Sequence, residues 1–415
     1  MSFSLLKFWH DSLEHWHEPR HRAAEGLHQS MRENAKLTWF DIDLHKACNL
    51  TCDHCFYNDH YSTSTSPALA PEFLEEAIRQ AVEMRIEVMT FSGMEPTLGK
   101  NFRVAIQTAR AARDQYAPAA KIGLITNALT LPQHLSFLES EPPDFIDVSI
   151  DGWKSHDRIR ANTRDRVIAN FKQAKACLRN TRVGTSTVLR NDNIDDVILM
   201  IERTAEFNSH FYFEPVVAAV DKHIPSLASE NLIHFVQRLR RVAEIFHEQE
   251  LHFSLLLNGD QALPLFYHDL LEPEEVEEDE LHSLYIRRRI GRVEIDFILR
   301  IIPEYFWRGA RLSYDGYWLG TCDLLQAPDF HEVASGSFIE TPSIKQLFER
   351  SLARDTLFYQ SLQELFLNPC GHTEREQQYC LSCFSTRMVK MMHQRYGAAS
   401  ASYTGATNFS HDPFS

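Results

Sequence analysis

Three cysteines stand at a CxxxCxxC spacing in Cys48-Asn49-Leu50-Thr51-Cys52-Asp53-His54-Cys55, directly after the extended-looking run 38–44. Thiolates are soft ligands that select zinc and iron–sulfur clusters. Three of them from one short loop can hold three corners of a [4Fe–4S] cube and leave the fourth iron without a protein ligand. An open iron is a place for a substrate or cofactor. Zinc is the rival reading, because cysteines spaced by two residues also bind it and a structural zinc takes four ligands. His45, His54 and His60 stand near enough in sequence to supply the fourth.

A second group of thiols lies late in the chain. The run 311–322 reads as a hairpin, with Asp315-Gly316 at its turn and Cys322 at its end. A helical stretch over 343–366 separates it from Cys370, Cys380 and Cys383. Four thiols suffice for a closed [4Fe–4S] cluster or a structural zinc. Cys177, alone at helical spacing, reads as a small core residue.

Other polar candidates stand where short β-type runs end. The run 86–91 passes into Ser92-Gly93-Met94-Glu95-Pro96, 121–126 ends in Thr126-Asn127-Ala128, and 145–150 leads through Ser149-Ile150-Asp151-Gly152 to His156, Asp157 and Arg160. Ser186 in 183–189 and Glu214 in 210–217 occupy similar places. Singly, each fits an ordinary turn as well as a site.

The elements that must position these groups alternate. Six strand-like runs, 38–44, 86–91, 121–126, 145–150, 183–189 and 210–217, are rich in β-branched and aromatic residues. Helical stretches at 71–84, 102–116, 132–140, 166–180 and 194–207 lie between them. Pro71 followed by Glu72, Glu75 and Glu76 marks a helix start, with proline in the first turn and acids at the positive dipole end. Such alternation implies parallel strands joined by right-handed crossovers, in an open doubly wound sheet or a barrel. Functional residues of a barrel belong at the C-terminal strand ends. Beyond about residue 218 the alternation fades into a helix over 230–248, a further strand near 251–260, and the acidic run 272–280, read as a solvated helix or loop that Arg287-Arg288-Arg289 would neutralise.

Composition narrows the partners. The chain has 415 residues, 44% hydrophobic and 24% charged, and a formal charge of −15. That is the balance of a globular protein, and the negative sign disfavours nucleic acid, whose nonspecific affinity comes from clustered cations. No stretch approaches the ~20 apolar residues of a membrane span, so a soluble, cytoplasmic protein without a membrane partner is expected. The histidines of the first 36 residues, His10, His15, His17, His21 and His28, share no single helical face and read as a solvated or docking segment.

The cysteine triad resembles the signature of the radical S-adenosylmethionine (radical SAM) enzymes. Gly93-Met94-Glu95-Pro96 is similar to that family's Gly-Gly-Glu-Pro motif, with Met94 for the second glycine, and 149–160 is similar to its Ser-Leu-Asp-Gly…His-Asp…Arg segment. The resemblance implies a partial (β/α)6 TIM-like barrel of class α/β, with a small C-terminal SPASM- or twitch-like auxiliary iron–sulfur domain. The corresponding division is an N-terminal helical segment 1–36, the core barrel 37–230, a bridging region 231–308, the auxiliary domain 309–396 and a flexible tail 397–415. No winged-helix leader-peptide module is evident in the first segment.

By the same resemblance Cys48, Cys52 and Cys55 hold a [4Fe–4S] cluster whose open iron chelates S-adenosylmethionine (SAM). The SAM ammonium falls to Glu95 and the backbone at Gly93 and Met94, a hydrogen bond to SAM to Ser149, and its carboxylate to Arg160. Thr126 and Asn127 stand at the edge suited to a ribose or substrate hydroxyl, and Ser186 and Glu214 line the pocket. Cys322, Cys370, Cys380 and Cys383 would hold one auxiliary [4Fe–4S] cluster. The implied chemistry is reductive cleavage of SAM to a 5′-deoxyadenosyl radical and hydrogen-atom abstraction, with electrons from a donor such as flavodoxin or ferredoxin. The substrate is expected to be a ribosomally made peptide, with an oxidised small molecule such as an amino sugar as the alternative and a zinc-bound scaffold as the non-enzymatic one. For a general base, Asp260, Asp323 and Tyr305 are candidates by location alone.

Overall fold

The computed structural model describes residues 32–55, 68–216, 227–258, 274–279, 283–300, 308–320 and 330–353, with a few isolated positions besides. Cys322, Cys370, Cys380 and Cys383 lie outside the described residues, as do Asp260, Tyr305, Asp323, His60, most of the N-terminal segment and the tail.

Each expected strand forms within a residue or two of its predicted place. These are β1 (Trp39–Ile42), β2 (Val88–Phe91), β3 (Lys121–Thr126), β4 (Phe145–Ser149), β5 (Arg182–Leu189) and β6 (His210–Pro215). Helices α1 (Pro71–Glu83), α2 (Asn101–Tyr116), α3 (Leu135–Ser140), α4 (Ser155–Ile159), α5 (Arg164–Cys177) and α6 (Ile194–Thr204) stand between them. Proline sits in the first turn of α1, where its missing N–H would have no partner anyway. Leu74, Ala77, Ile78, Ala81 and Val82 then fall on one buried stripe, each larger side chain contributing about 1.5–3 kcal/mol. The helix stops at Met84 and Arg85, the latter at φ 60°, the left-handed position that commonly ends a helix.

The sheet continues past the sixth strand. After α7 (Ser229–Ile245), strand β7 (His252–Asn258) joins β6, and the chain then builds β8 (Glu275–Glu278), β9 (Leu284–Ile290), β10 (Val293–Arg300), β11 (Gly309–Leu312) and β12 (Trp318–Leu319), followed by α8 (Phe330–Val333) and α9 (Ile344–Ala353). The strand order is β12-β11-β1-β2-β3-β4-β5-β6-β7-β10-β9-β8. From β11 to β10 every pairing is parallel, and the outer pairings are antiparallel. The sheet curls into a half-barrel. It also runs across the divisions expected at 231 and 309: β7 and β10 extend the barrel strands, and the hairpin of β11 and β12 is built onto β1.

One expectation is corrected outright. Within the acidic run, residues 275–278 form strand β8, paired antiparallel with β9. Glutamate is depleted in strands, but here the facing strand supplies arginine. Arg289 pairs with Glu275 at 2.7 Å, and Arg287 reaches it at 3.9 Å. Opposite charges across neighbouring strands stabilise the pairing.

Alternation along the strands separates two faces. Phe40, Ile42, Met89, Phe91, Ile122, Leu124, Ile146, Val148, Phe211 and Phe213 are buried in the core. The other face is polar. Asp147 of β4 meets Arg182 of β5 at 3.1 Å, His252 of β7 meets Asp296 of β10 at 3.1 Å, and Arg311 of β11 meets Asp41 of β1 at 2.8 Å. Ser149 and Ser186, register partners on β4 and β5, share this face.

Candidate active site

Among the described residues, the early cysteines and most of the polar candidates gather at one rim, because they lie at or just past the C-terminal ends of neighbouring parallel strands. The cysteine loop follows β1, Gly93–Pro96 follows β2, Asn127 follows β3, and Asp151 to Arg160 follow β4.

Glu95 joins three of these loops. Its side chain is wholly buried. One oxygen accepts from Thr97 N–H at 3.2 Å, Thr97 Oγ1 at 2.5 Å and Thr126 Oγ1 at 2.7 Å, and the other from Asn127 N–H at 2.7 Å. Its own N–H donates to the carbonyl of Ala47, next to the first cysteine, at 3.1 Å. Burial pushes its carboxyl above the usual range, opposed by those hydrogen bonds. The carboxylate expected to hold the SAM ammonium thus also accepts from four protein donors, which tie the loop after β2 to the end of β3. Gly93 and Met94 both take the left-handed conformation, at φ 71° and 46°. Met94 thus holds a left-handed backbone at the position where the similar motif has glycine, at the conformational cost a side chain adds there.

Donors converge on the thiols. Leu50 N–H points to Cys48 Sγ at 3.4 Å, and Asn127 Nδ2 lies 4.0 Å from the same sulfur while donating to Asn49 Oδ1 at 2.6 Å. Arg160 Nη1 reaches Cys52 Sγ at 3.6 Å. Burial pushes the Cys48 thiol up to about 12, and raises Cys52 against the opposing pull of Arg160. A metal bound here must therefore displace protons, as thiolate ligation generally does. Charged and neutral N–H groups aimed at sulfur suit a thiolate-ligated cluster, whose sulfurs gain from such donors. Among the described residues, no three His, Cys, Asp or Glu side chains stand close enough together to hold a metal ion as they are, so a zinc ion and an iron–sulfur cluster alike would need the three thiols to draw together.

His45 and His54 belong to the framework around the loop. His45 is buried, its Nδ1 accepts from Ala47 N–H at 3.1 Å, and its ring fills the space a Cβ on Gly99 would need, 2.3 Å from His45 Cδ2. His54 Nε2 lies 3.8 Å from Asp151 Oδ2.

Asp151 is the buried centre of the β4 loop. Its Oδ2 accepts from Arg160 Nε at 2.6 Å and its Oδ1 from Val188 N–H at 3.0 Å. Burial alone would raise its carboxyl, but Arg160 and His54 outweigh that and hold it at about 2. Arg190, just past β5, reaches into the cysteine loop and pairs with Asp53 at 2.5 Å. Asp196, at the start of α6, accepts from Lys154 and Ser155 N–H, each at 2.6 Å, and so fixes the start of α4. Gly152 completes the turn at φ 112°, where a Cβ would lie 2.2 Å from Ser155 Oγ. Ser149 and Ser186 are half-buried at the same rim.

Sequence reasoning placed Cys48, Cys52, Cys55, Glu95, Thr126, Asn127, Ser149, Arg160 and Ser186 at this rim, and the structure brings them there. It gave no role to Asp53, Asp151, Arg190 or Asp196. Asp151 lay within the motif-like segment 149–160 without a role of its own, and the one signal for Arg190 was its position immediately after a strand.

Residues 42–204 match the family model described as the Radical SAM superfamily. GTP 3′,8-cyclase 1 of Mycobacterium tuberculosis is 24% identical over 172 residues, which is 40% of this chain and 47% of that protein. The probable GTP 3′,8-cyclase of Thermoplasma volcanium is 28% identical over 170 residues, 40% of this chain and 49% of that protein. The chain thus spans about half the length of the curated relatives it matches. Among solved structures, SuiB of Streptococcus suis bound to precursor peptide SuiA superposes with a TM-score of 0.57 at 15% identity, covering 79% of this chain and 70% of that one. At that identity the likeness is one of fold.

Proposed function

From the premise that residues 42–204 belong to the radical SAM superfamily, we propose that the rim built by β1 to β5 is the active site of an enzyme that reductively cleaves SAM and abstracts a hydrogen atom from a peptide. The observation that carries this reading is the convergence of N–H donors from three separate loops, at Leu50, Asn127 and Arg160, on the sulfurs of Cys48 and Cys52.

Cys48, Cys52 and Cys55 would hold the [4Fe–4S] cluster. With SAM it would supply one-electron cleavage of a sulfonium and a radical able to attack an unactivated C–H bond. The protein's own part is positional. Glu95 keeps the loops after β1, β2 and β3 at fixed spacing, so that the backbone at Gly93 and Met94 faces the rim. The half-buried hydroxyls of Ser149 and Ser186 are register neighbours able to hydrogen-bond a nucleoside or substrate. Arg190 clamps Asp53 and limits movement of the loop between its second and third cysteines. The polar face of the sheet, with Asp147 and Arg182 paired across β4 and β5, suits a substrate rich in donors and acceptors.

A peptide substrate is supported by the SuiB complex with its precursor peptide, a likeness of fold. The second reading, a small-molecule substrate, draws support from the GTP 3′,8-cyclases that match the same barrel region. In both readings Cys322, Cys370, Cys380 and Cys383 are proposed ligands of an auxiliary cluster, electrons come from a small donor protein such as flavodoxin or ferredoxin, and the protein works in the cytoplasm. No helix among the described residues is long and apolar enough to cross a membrane.

Anaerobic purification followed by reduction with SAM tests the reading. Iron and 5′-deoxyadenosine are expected from the wild type. Both the SAM-dependent product and the early cluster should be lost when Cys48, Cys52 and Cys55 are replaced by alanine. Zinc at stoichiometric level with no iron, or product formation that survives the triple replacement, would overturn it.

A further inference from the structure

Arg160 is held at both ends. Its backbone N–H donates to the carbonyl of His156 at 2.7 Å, and its own carbonyl accepts from Thr163 Oγ1 at 2.7 Å. The next two residues, Ala161 and Asn162, turn the chain in the left-handed conformation at φ 56° and 55°. At the far end, Asp151 pins Nε at 2.6 Å and is itself fixed by Val188 N–H. With Nε and the backbone both fixed, the planar guanidinium has one orientation left, and it places Nη1 3.6 Å from Cys52 Sγ. A side chain that only filled space would need neither restraint.

We propose that Arg160, anchored by Asp151, sets the reduction potential of a cluster held by Cys48, Cys52 and Cys55 by donating a charged hydrogen bond to the Cys52 sulfur. This rests on the cluster reading above and assigns Arg160 a task separate from any contact with SAM. Uptake of one electron from a low-potential donor adds negative charge to the cluster. A fixed cationic donor at one of its sulfurs stabilises that reduced state more than the oxidised one, so the potential rises. The aspartate makes the arrangement specific, since it neutralises the distal charge while leaving the N–H aimed at sulfur.

The test is an EPR-monitored redox titration of the anaerobically reconstituted full chain. The early cluster is identified as the signal that disappears in the Cys48→Ser/Cys52→Ser/Cys55→Ser variant. Arg160→Gln alone strands the Asp151 carboxylate and would lower the potential even if the sulfur contact meant nothing. The double variant Asp151→Asn/Arg160→Gln removes both charges and isolates the contact. With full iron retained, the double variant should titrate about 59 mV below the wild type, a tenfold shift in a one-electron equilibrium. A double variant that titrates with the wild type overturns the assignment and leaves the cluster reading intact. A wild type without any triad-dependent iron signal overturns both.

Discussion

Replacing Arg311 by methionine should destabilise the whole rim. The guanidinium contacts Asp41 Oδ2 at 2.8 Å, Asp43 Oδ1 at 2.5 Å and Ser92 Oγ at 3.1 Å, so it ties β11 to β1 and to the loop after β2. The Asp43 side chain is wholly buried and that of Asp41 is 11% exposed. Methionine retains much of the packing but removes the cation facing both carboxylates. Breaking a buried pair from one side costs about 3–5 kcal/mol, because the stranded charge loses its compensation. In urea, with a slope of about 3 kcal/mol per molar, the midpoint should fall by about 1 M or more. Tryptophan fluorescence is a suitable probe, since Trp318 is buried against Phe40 with ring centroids 5.6 Å apart. The triple variant Arg311→Met/Asp41→Asn/Asp43→Asn removes the stranded charges and should recover at least half of the loss. A single variant whose midpoint moves by less than about 0.3 M, or a triple variant no more stable than the single one, would refute the electrostatic account.

Two further replacements probe the rim and the polar face. Gly152→Ala puts a Cβ into Ser155 Oγ and a side chain at φ 112°, which should cost about 1–3 kcal/mol and weaken SAM binding; calorimetry that finds both unchanged would contradict the assigned turn. Asp296 is pulled toward a higher value by burial but held well below the carboxylate range by Arg287 and His252. Its contribution is therefore present above the unfolded aspartate value of about 3.9 and fades as pH falls below it. Asp296→Asn should accordingly be less stable than the wild type near neutrality by about 1–3 kcal/mol, with the difference closing in acid; a gap independent of pH would argue against the ion pairs.

Much of the barrel was legible because its strands are short apolar runs between turn formers, and because the cysteines fall immediately after the first of them. The strand ends then located the rim, with Glu95, Asn127 and Arg160 on it. The rest depended on partners far away in sequence. Strand β7 and the hairpin of β11 and β12 were expected near 251–260 and 311–322, but their parallel pairing with β6 and β1 was not, and β9 and β10 went unread, since a parallel neighbour many residues distant leaves no local periodicity. Strand β8 was hidden by its glutamates, whose fit to a strand comes only from the arginines of β9. Of the four hydrogen bonds that satisfy Glu95, two come from Thr97 in its own loop and two from Thr126 and Asn127 at the end of β3, and the motif that flags this residue says nothing of them. Likewise Arg160 was placed correctly at the rim, but its reach to Cys52 across 108 residues is a property of the folded chain.

The pairing of β11 with β1 has a temporal consequence for a chain made from its N-terminus. Asp41 and Arg311 are separated by 270 residues, which at about 5–20 residues per second is roughly 14–54 s of translation. Throughout that interval the strand that leads into the cysteine loop has one hydrogen-bonding edge unzipped, and such edges recruit other strands. Nascent protein is thus open to misassembly beside the three thiols of that loop, and conditions that slow translation should lower the yield of competent protein by prolonging the interval.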